Sequence, residues 1–241
     1  ASDFTATSEN YTNIKVTVVP GVLKITPITD EYEITVTGNS DTRVYNGSEQ
    51  SVNGYTVSAY DGTITLTGPD QDADVATAKG TNVGEYTMAL AASDFTATSE
   101  NYTNIKVTVV PGKLEITPIT DEYEITVTGN SDTKVYNGSE QSVNGYMVSP
   151  YDNTITLTGP AQNADVATAK GTNVGEYTMA LAASDFTATS ENYTNIKVTV
   201  VPGVLKITPI TDEYEITVAG NNATRVYNGS EQSVNGYTVS A

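Results

Sequence analysis

The stretch ASDFTATSENYTNIKVTVVPG at residues 1–21 decides the organisation of this chain. It recurs at residues 92–112 and again at 183–203, so the repeat period is 91 residues. A period of this length is far longer than the roughly 20–50 residues of a solenoid repeat, and it matches an independent small domain. The 241 residues therefore predict a string of nearly identical modules rather than one large domain.

The differences between copies indicate which side chains face solvent. In the segment VLKIT at residues 22–26, Val22 and Lys24 vary between copies while Leu23 and Ile25 do not. Because strand side chains alternate between two faces, this predicts a strand with Leu23 and Ile25 inward. By the same reasoning, Thr56, which is Met147 in the next copy, is also predicted to face outward. The first two copies differ at eight positions, which in the first copy are Val22, Lys24, Arg43, Thr56, Ala59, Gly62, Asp70 and Asp72.

Apolar and polar residues alternate with a period of two through each copy. The alternation is clearest at Ile14–Val18, and it recurs around Ile34 and Ile64. Thr, Val, Ile and Tyr favour strands, while the Asn-Gly and Pro-Gly pairs between them mark turns. Seven to nine short strands per copy predict an all-β chain of tandem immunoglobulin-like β-sandwich modules, with β-grasp-like modules as the alternative.

The seam between modules is predicted at Ile25-Thr26-Pro27 and at its two later repeats. Proline has no N–H for a ladder and holds the preceding residue extended. We therefore expect a stretch of a longer repetitive polypeptide, strung on short, semi-rigid proline linkers. Its predicted parts are the C-terminal part of a module at 1–26, complete modules at 27–117 and 118–208, and the N-terminal part of a module at 209–241.

The composition argues against several classes of function. There are 29 acidic and 11 basic side chains, and the net charge of −18 argues against nucleic acid and anionic lipid as partners. Cysteine and histidine are both absent, which excludes disulfides, thiolate metal sites and Ser-His-Asp catalysis. No apolar run approaches the roughly 20 residues of a membrane span. We therefore expect no enzyme and no membrane insertion in this segment.

Three segments carry a resemblance to a known family: VYNGSEQSVNGYTVS at 44–58, AKGTNVGEYTMAL at 78–90 and GVLKITP at 21–27. They are similar to the tandem MBG and YDG-type modules of large, Gram-positive-type bacterial adhesins, and the resemblance covers the whole chain. It implies an extracellular location on a cell surface and a stalk or adhesive role. It supplies no catalytic residues.

The segment NVGEY at 82–86 resembles the tyrosine corner of immunoglobulin-like domains. Two further predicted strands follow it in phase, equivalent to Ile14–Val19 and Val22–Thr26, where an immunoglobulin fold has one. The β-grasp alternative therefore stays open at this point.

Acidic residues follow each seam. Calcium binds several carboxylate oxygens, so these residues predict an inter-module calcium site that stiffens the junction; no other cofactor is expected. The alternative is surface charge that keeps the modules soluble and their edges apart. The residues predicted to bind calcium at the seams are Asp30, Glu31, Glu33, Asp121, Glu122 and Glu124, and the third copy repeats them as Asp212, Glu213 and Glu215.

A second acidic run, DQDAD at 70–74, begins like a calcium loop but lacks the later glycine and glutamate, which favours a solvated loop.

The leading hypothesis is a non-catalytic repeat segment that forms a semi-rigid stalk or fibre shaft, with neighbouring modules as its partners. One alternative is multivalent adhesion, in which each module binds a host glycan, mucin or protein weakly and repetition supplies avidity. A second alternative is self-association into a homopolymeric filament through exposed strand edges.

Overall fold

A computed structural model of the chain describes residues 3–240. They form two compact units that divide between Ile119 and Thr120, and each unit is described by itself. Each contains one module of ten short strands and two single-turn 3-10 helices. The segments rich in Thr, Val and Ile become strands because branched side chains fit a pleated, half-buried surface.

The elements of the first module are β1 (Tyr32–Gly38), β2 (Asp41–Val44), β3 (Gln50–Asn53), β4 (Tyr55–Val57), β5 (Thr65–Thr67), η1 (Asp74–Ala76), β6 (Thr77–Gly80), β7 (Gly84–Thr87), η2 (Ala92–Asp94), β8 (Thr96–Thr98), β9 (Ile105–Val110) and β10 (Lys113–Thr117).

The second module repeats this order as β11 (Tyr123–Gly129), β12 (Asp132–Val135), β13 (Gln141–Asn144), β14 (Tyr146–Val148), β15 (Thr156–Thr158), η3 (Asp165–Ala167), β16 (Thr168–Gly171), β17 (Gly175–Thr178), η4 (Ala183–Asp185), β18 (Thr187–Thr189), β19 (Ile196–Val201) and β20 (Val204–Thr208).

Two three-stranded sheets and two two-stranded ladders make up each module. In the first module the sheet orders are β4-β1-β9 and β2-β10-β7, while β3 pairs with β6 and β5 with β8. Most pairs are antiparallel, but β1 runs parallel to β9, from Tyr32 opposite Ile105, and β2 runs parallel to β10, from Asp41 opposite Leu114. Both parallel pairs share one register, so β1–β2 and β9–β10 are two long strands that pass together from one sheet to the other.

Two facing glycines allow this passage between the sheets. A Cβ atom at Gly38 would lie 2.2 Å from the backbone nitrogen of Gly112, and one at Gly112 would lie 2.1 Å from the carbonyl oxygen of Asn39. The two backbones therefore approach more closely than any side chain permits. Gly129 and Gly203 make the same contact in the second module.

The core of each module lies between its two three-stranded sheets. Ile34 of β1 is fully buried, and so is Leu114 of β10 in the facing sheet. Side chains from both inner faces share one apolar interior, which makes the module a β-sandwich. In the second module the buried cluster consists of Val127, Ala167, Ala169, Met179, Leu181, Phe186, Leu205 and Ile207.

The prediction of an all-β chain of tandem immunoglobulin-like sandwich modules is confirmed. The Tyr86 hydroxyl donates a hydrogen bond to the carbonyl oxygen of Asn82 at 2.9 Å, as a tyrosine corner does. Its ring packs over Gly80, where a Cβ atom would lie 2.1 Å from it. Within residues 3–240, helix is confined to four three-residue 3-10 turns, so no helix packs on a sheet as the β-grasp alternative requires.

The additional strand after the tyrosine corner has a simple explanation. β9 and β10 are two halves of one long strand, which is interrupted at Pro111 and Gly112 where it changes sheets. The break between β1 and β2 lies opposite this interruption. Each module therefore has ten short strands, more than the seven to nine predicted.

The strand predicted at Ile14–Val18 is wrong for that copy. Residues 3–27 carry no strand, and Leu23 is 86% exposed, whereas its counterparts Leu114 and Leu205 are fully buried. The inward orientation predicted from the copy differences is thus confirmed in the two complete modules. A β9-type strand needs a β1-type partner 73 residues earlier in the chain, and residues 14–19 have none within these 241 residues.

Residues 210–240 carry an antiparallel pair of exposed strands, β21 (Thr217–Gly220) and β22 (Tyr237–Ser240), which correspond to β1 and β4. Between the two modules, β10 ends at Thr117 and β11 begins at Tyr123. The seams and the partial modules predicted from the Ile-Thr-Pro repeats stay predictions.

Candidate functional site

Two tyrosines and an aspartate interlock at the end of the module where β1 begins. The ring centroids of Tyr32 and Tyr102 lie 4.9 Å apart. The Tyr102 hydroxyl donates to Asp61 Oδ2 at 3.0 Å, and the Asp61 backbone N–H donates to the Tyr32 hydroxyl at 2.8 Å. Asp61 Oδ1 also accepts hydrogen bonds from the backbone N–H and the hydroxyl of Thr63. The cluster fastens the β4–β5 loop to β1 and to the segment before β9.

The electrostatics of this cluster keep the aspartate charged and the tyrosine protonated. The pKa of Asp61 is lowered, chiefly by the Thr63 hydroxyl and then by the Thr63 backbone N–H and the Tyr102 hydroxyl. The pKa of Tyr102 is raised, chiefly because its hydroxyl donates to Asp61 and further by burial. These shifts move both groups away from neutral pH, which suits a structural fastening rather than proton transfer.

The second module repeats the cluster with Tyr123, Tyr193 and Asp152. The ring centroids lie 4.8 Å apart, and the Tyr193 hydroxyl donates to Asp152 Oδ2 at 2.9 Å. The pKa of Asp152 is lowered by the same kind of bonds, first from Thr154. This cluster is not apparent from the sequence, because its members lie 29 and 41 residues apart and only the fold brings them together.

The acidic residues predicted to bind calcium lie just before and within the first strand of each module. Asp30 is exposed, while Glu31 binds the amine of Lys106 with 3.3 Å between Oε1 and Nζ. Glu33 accepts a hydrogen bond from the Thr108 hydroxyl and lies 4.0 Å from the Lys106 amine. Two of the three carboxylates therefore face a lysine of the neighbouring strand β9 rather than one another.

The same arrangement recurs in the second module, where Asp121 is exposed and Glu122 lies 3.1 Å from the amine of Lys197. Glu124 accepts from the Thr199 hydroxyl. The pKa of Lys197 is raised, first by its hydrogen bond to Glu122 and then by the charges of both glutamates. Among residues 3–240, no three acidic side chains converge into a group that would hold a metal ion. Calcium binding at the seam stays a prediction.

The acidic loop at residues 70–74 is anchored by an uncharged residue. The side-chain oxygen of Gln71 accepts a hydrogen bond from the backbone N–H of Tyr55 at 2.7 Å, and Gln162 does the same in the second module. Asp74 is exposed and lies 3.6 Å from the amine of Lys79. A glutamine side chain therefore bonds this loop to the sheet, while Asp74 faces solvent.

A shallow groove of about 400 Å³ crosses the outer face of the β2-β10-β7 sheet. Glu115 of β10 lies directly opposite Glu85 of β7, and the Lys113 amine contacts Glu85 at 2.8 Å. On the neighbouring strand β2, the Arg43 side chain binds Asp41 at 2.8 Å and lowers the pKa of that carboxyl. The groove can accept a small polar group, but its carboxylates lie on an open sheet face rather than in a substrate cleft.

The corresponding groove of the second module has different chemistry. Val204 replaces the lysine and Lys206 replaces the glutamate, so a 3.4 Å ion pair between Lys206 and Glu176 stands where the first module has two opposed glutamates. Three of the eight differences between the copies fall on this one sheet. The modules therefore share no common arrangement of charges in this groove.

Comparison with protein families gives the same module boundaries as the sheets. The MBG domain family matches residues 32–118 and 123–209, each from the start of the first strand to just past the end of the last. The chain belongs to the MBG domain family. In this MBG tandem, the two matches cover both complete sandwiches and most of the 241 residues.

No curated protein matches the sequence. Among solved structures, the chain is similar to the crystal structure of the I9-I11 tandem from titin, with 12% sequence identity and a TM-score of 0.15. That similarity covers 78% of this chain and 68% of the titin chain. The assignment of the fold rests on the sheet orders and registers above. No helix in the described part of the chain has the length and apolar character to cross a bilayer.

Proposed function

We propose that this chain is a non-catalytic extracellular segment of a bacterial surface protein, in which MBG modules serve as a stalk or fibre shaft. One observation supports this most directly. The first and last long strands of each module run parallel, so the chain enters a module at one end and leaves it at the other. An antiparallel first and last strand would return the chain to its starting point. Each module therefore separates the entry and exit points of the chain by the full length of its strands.

The family and the composition support the same function. The MBG domain is a non-enzymatic type of module and is typical of extracellular surface proteins. The tandem arrangement and the acidic surface suit a soluble spacer, because a net charge of −18 opposes lateral association. The two grooves differ in charge, which argues against a single ligand bound alike by every module.

The test is electron microscopy of chains that carry increasing numbers of the 91-residue module. For a stalk, we expect separate rods that lengthen by a fixed step of at most about 60 Å per module, since β1 to β2 spans 13 residues and the connection from Thr117 to Tyr123 adds six, at about 3.3 Å each. Rods whose length does not grow with module number would contradict the stalk. Bundles that grow with concentration would favour the filament, and saturable binding of one module to mucin would favour adhesion.

The same images test the calcium prediction. Calcium bound by Asp30, Glu31 and Glu33 would straighten the rods, and a chelator would make them flexible. The control variant Asp30→Asn with Glu31→Gln should then respond to neither treatment. Identical rods in calcium and chelator would leave those residues as surface charge.

A further inference from the structure

The longest continuous contact within a module joins its first strands to its last. It begins before β1, where Ile28 and Tyr102 form a parallel bridge and the Ile28 N–H donates to the Asn101 carbonyl at 2.8 Å. It continues through the β1–β9 and β2–β10 pairs. It ends where the Tyr45 N–H donates to the carbonyl of Thr117 at 2.8 Å. The pairing thus extends over the full length of the module.

The direction of these strands fixes how they respond to tension. A force along the chain pulls the start of β1 towards one end of the module and the end of β10 towards the other. Parallel strands held in this way slide past each other along their own axes. The backbone hydrogen bonds between them lie across that direction, so they share the load and must break together. In a peeling geometry the same bonds would break one at a time.

We propose that each module is a load-bearing clamp, in which the paired strands β1–β2 and β9–β10 resist tension applied through the two ends of the chain. The proposal gives the stalk a mechanical role, and it rests on the proposed function for the source of the load. The resistance itself is a property of one module and can be measured without reference to a cell.

Side chains reinforce the loaded strands at both ends. At the entry end, Lys106 and Thr108 of β9 bind Glu31 and Glu33, and the contact between the tilted rings of Tyr32 and Tyr102 ties the same two segments together. At the exit end, the Thr117 hydroxyl donates to the carbonyl of Arg43 at 3.3 Å. Further support there comes from Gln50, whose side-chain amide donates to the carbonyl of Val44 at 3.0 Å.

In the middle of the clamp, a close steric contact between the two backbones opposes sliding. Gly38 and Gly112 bring the two backbones into contact where the strands change sheets, so sliding by even one residue would drive a side chain into the opposite backbone. The polar ties and the glycine contact recur in the second module through Glu122 with Lys197, Glu124 with Thr199, and Gly129 with Gly203.

The chain contains no cysteine, so introduced cysteines give unique attachment points for force spectroscopy. The variant Asp30→Cys with Thr120→Cys loads the first module in shear. The variant Asp30→Cys with Asn104→Cys pulls apart the adjacent starts of β1 and β9 and peels the same bonds. All three positions are exposed. As a control for folding, both variants should show the same thermal unfolding as the parent chain when no force is applied.

We expect the shear pair to unfold at a force at least about twofold above that of the peel pair, because many bonds break together in one case and singly in the other. Pulling the parent chain by its ends should give two such high-force events, each releasing about 300 Å of chain for roughly 90 residues. Equal forces in the two geometries would overturn the clamp. That result would leave the stalk intact, because rod length per module tests the stalk separately.

Discussion

Residues 3–26 and residues 94–117 have the same sequence except at two positions, but they differ in structure. The second stretch forms β8 to β10, and Ile116 in it is 1% exposed. The first stretch has no strand, and its equivalent Ile25 is 84% exposed. The difference teaches that the alternating pattern marks a strand-forming segment, whereas a paired β1–β2 partner decides whether the strand forms. A single extended segment has no ladder bonds to offset its loss of entropy.

The same contrast holds for individual residues of the two stretches. Gly112 packs against the backbone of Asn39, whereas nothing lies within 4 Å of a Cβ atom at Gly21. Tyr102 binds Asp61, whereas its equivalent Tyr11 is 72% exposed. Each residue in the first stretch therefore serves as a natural control for its counterpart in the second.

The largest expected effect is on hydrogen exchange. We expect backbone amides in residues 105–117 to exchange at least about a thousandfold more slowly than those in residues 14–26, because opening them requires unfolding of the sandwich. Lys113 and Glu115 give the 105–117 peptide its own mass, while the 14–26 and 196–208 peptides are identical. Mass spectrometry should therefore show one slowly exchanging isotope envelope for the 105–117 peptide. The envelope shared by the 14–26 and 196–208 peptides should split into a fast and a slow half. Uniform protection of all three would show that residues 14–26 find a partner.

The next effect concerns the glycine crossing. Gly112→Ala places a methyl group 2.1 Å from the Asn39 carbonyl oxygen, so we expect the first module to lose about 4 kcal/mol of its free energy of unfolding. Gly21→Ala should change it by less than about 0.5 kcal/mol. Urea unfolding followed by circular dichroism would show an early transition for the first module and an unchanged one for the second. An unsplit transition in Gly112→Ala would mean that the two strands can separate at the crossing without cost.

A core truncation comes third. Leu114→Ala removes a fully buried side chain, and we expect a loss of about 3 kcal/mol from the transfer and cavity terms together. Leu23→Ala removes the same atoms from an 86% exposed position and should have almost no effect. The same urea experiment compares them. A comparable loss in both variants would indicate that residues 3–26 pack against a module in solution.

The smallest expected effect is on acid stability. The folded pKa of Asp61 is lowered from 3.8, so its contribution to stability is fully present above about pH 3.8 and is lost as the pH falls through the lowered value. Asp61→Asn should therefore flatten the decline in the melting temperature of the first module between about pH 4 and pH 2. Glu9→Gln, in the unpaired stretch, should leave that decline unchanged. An unaltered decline in Asp61→Asn would show that other carboxyls account for the acid response.

Much of the fold could be predicted from the sequence because its signals are local. Alternation and tolerated substitutions identified Leu23 and Ile25 as strand residues with inward side chains, and the complete modules confirm this at their counterparts. The tyrosine corner at Tyr86 was recognisable from five consecutive residues. The candidate sites were less accessible. Glu31 and Glu33 were recognised as an acidic group, but their pairing with Lys106 and Thr108 joins residues 75 apart in sequence.

The sequence by itself determined the 91-residue repeat, the all-β character, the absence of histidine and cysteine chemistry, and the inward face of the strand represented by residues 22–26. Only the tertiary structure decided that the first and last strands run parallel, that Gly38 meets Gly112, and that one copy of an identical segment is a strand while another is not. The physical reason is that alternation and turn residues act on neighbours in sequence, whereas a strand's direction, partner and load depend on hydrogen bonds to residues some 73 positions away.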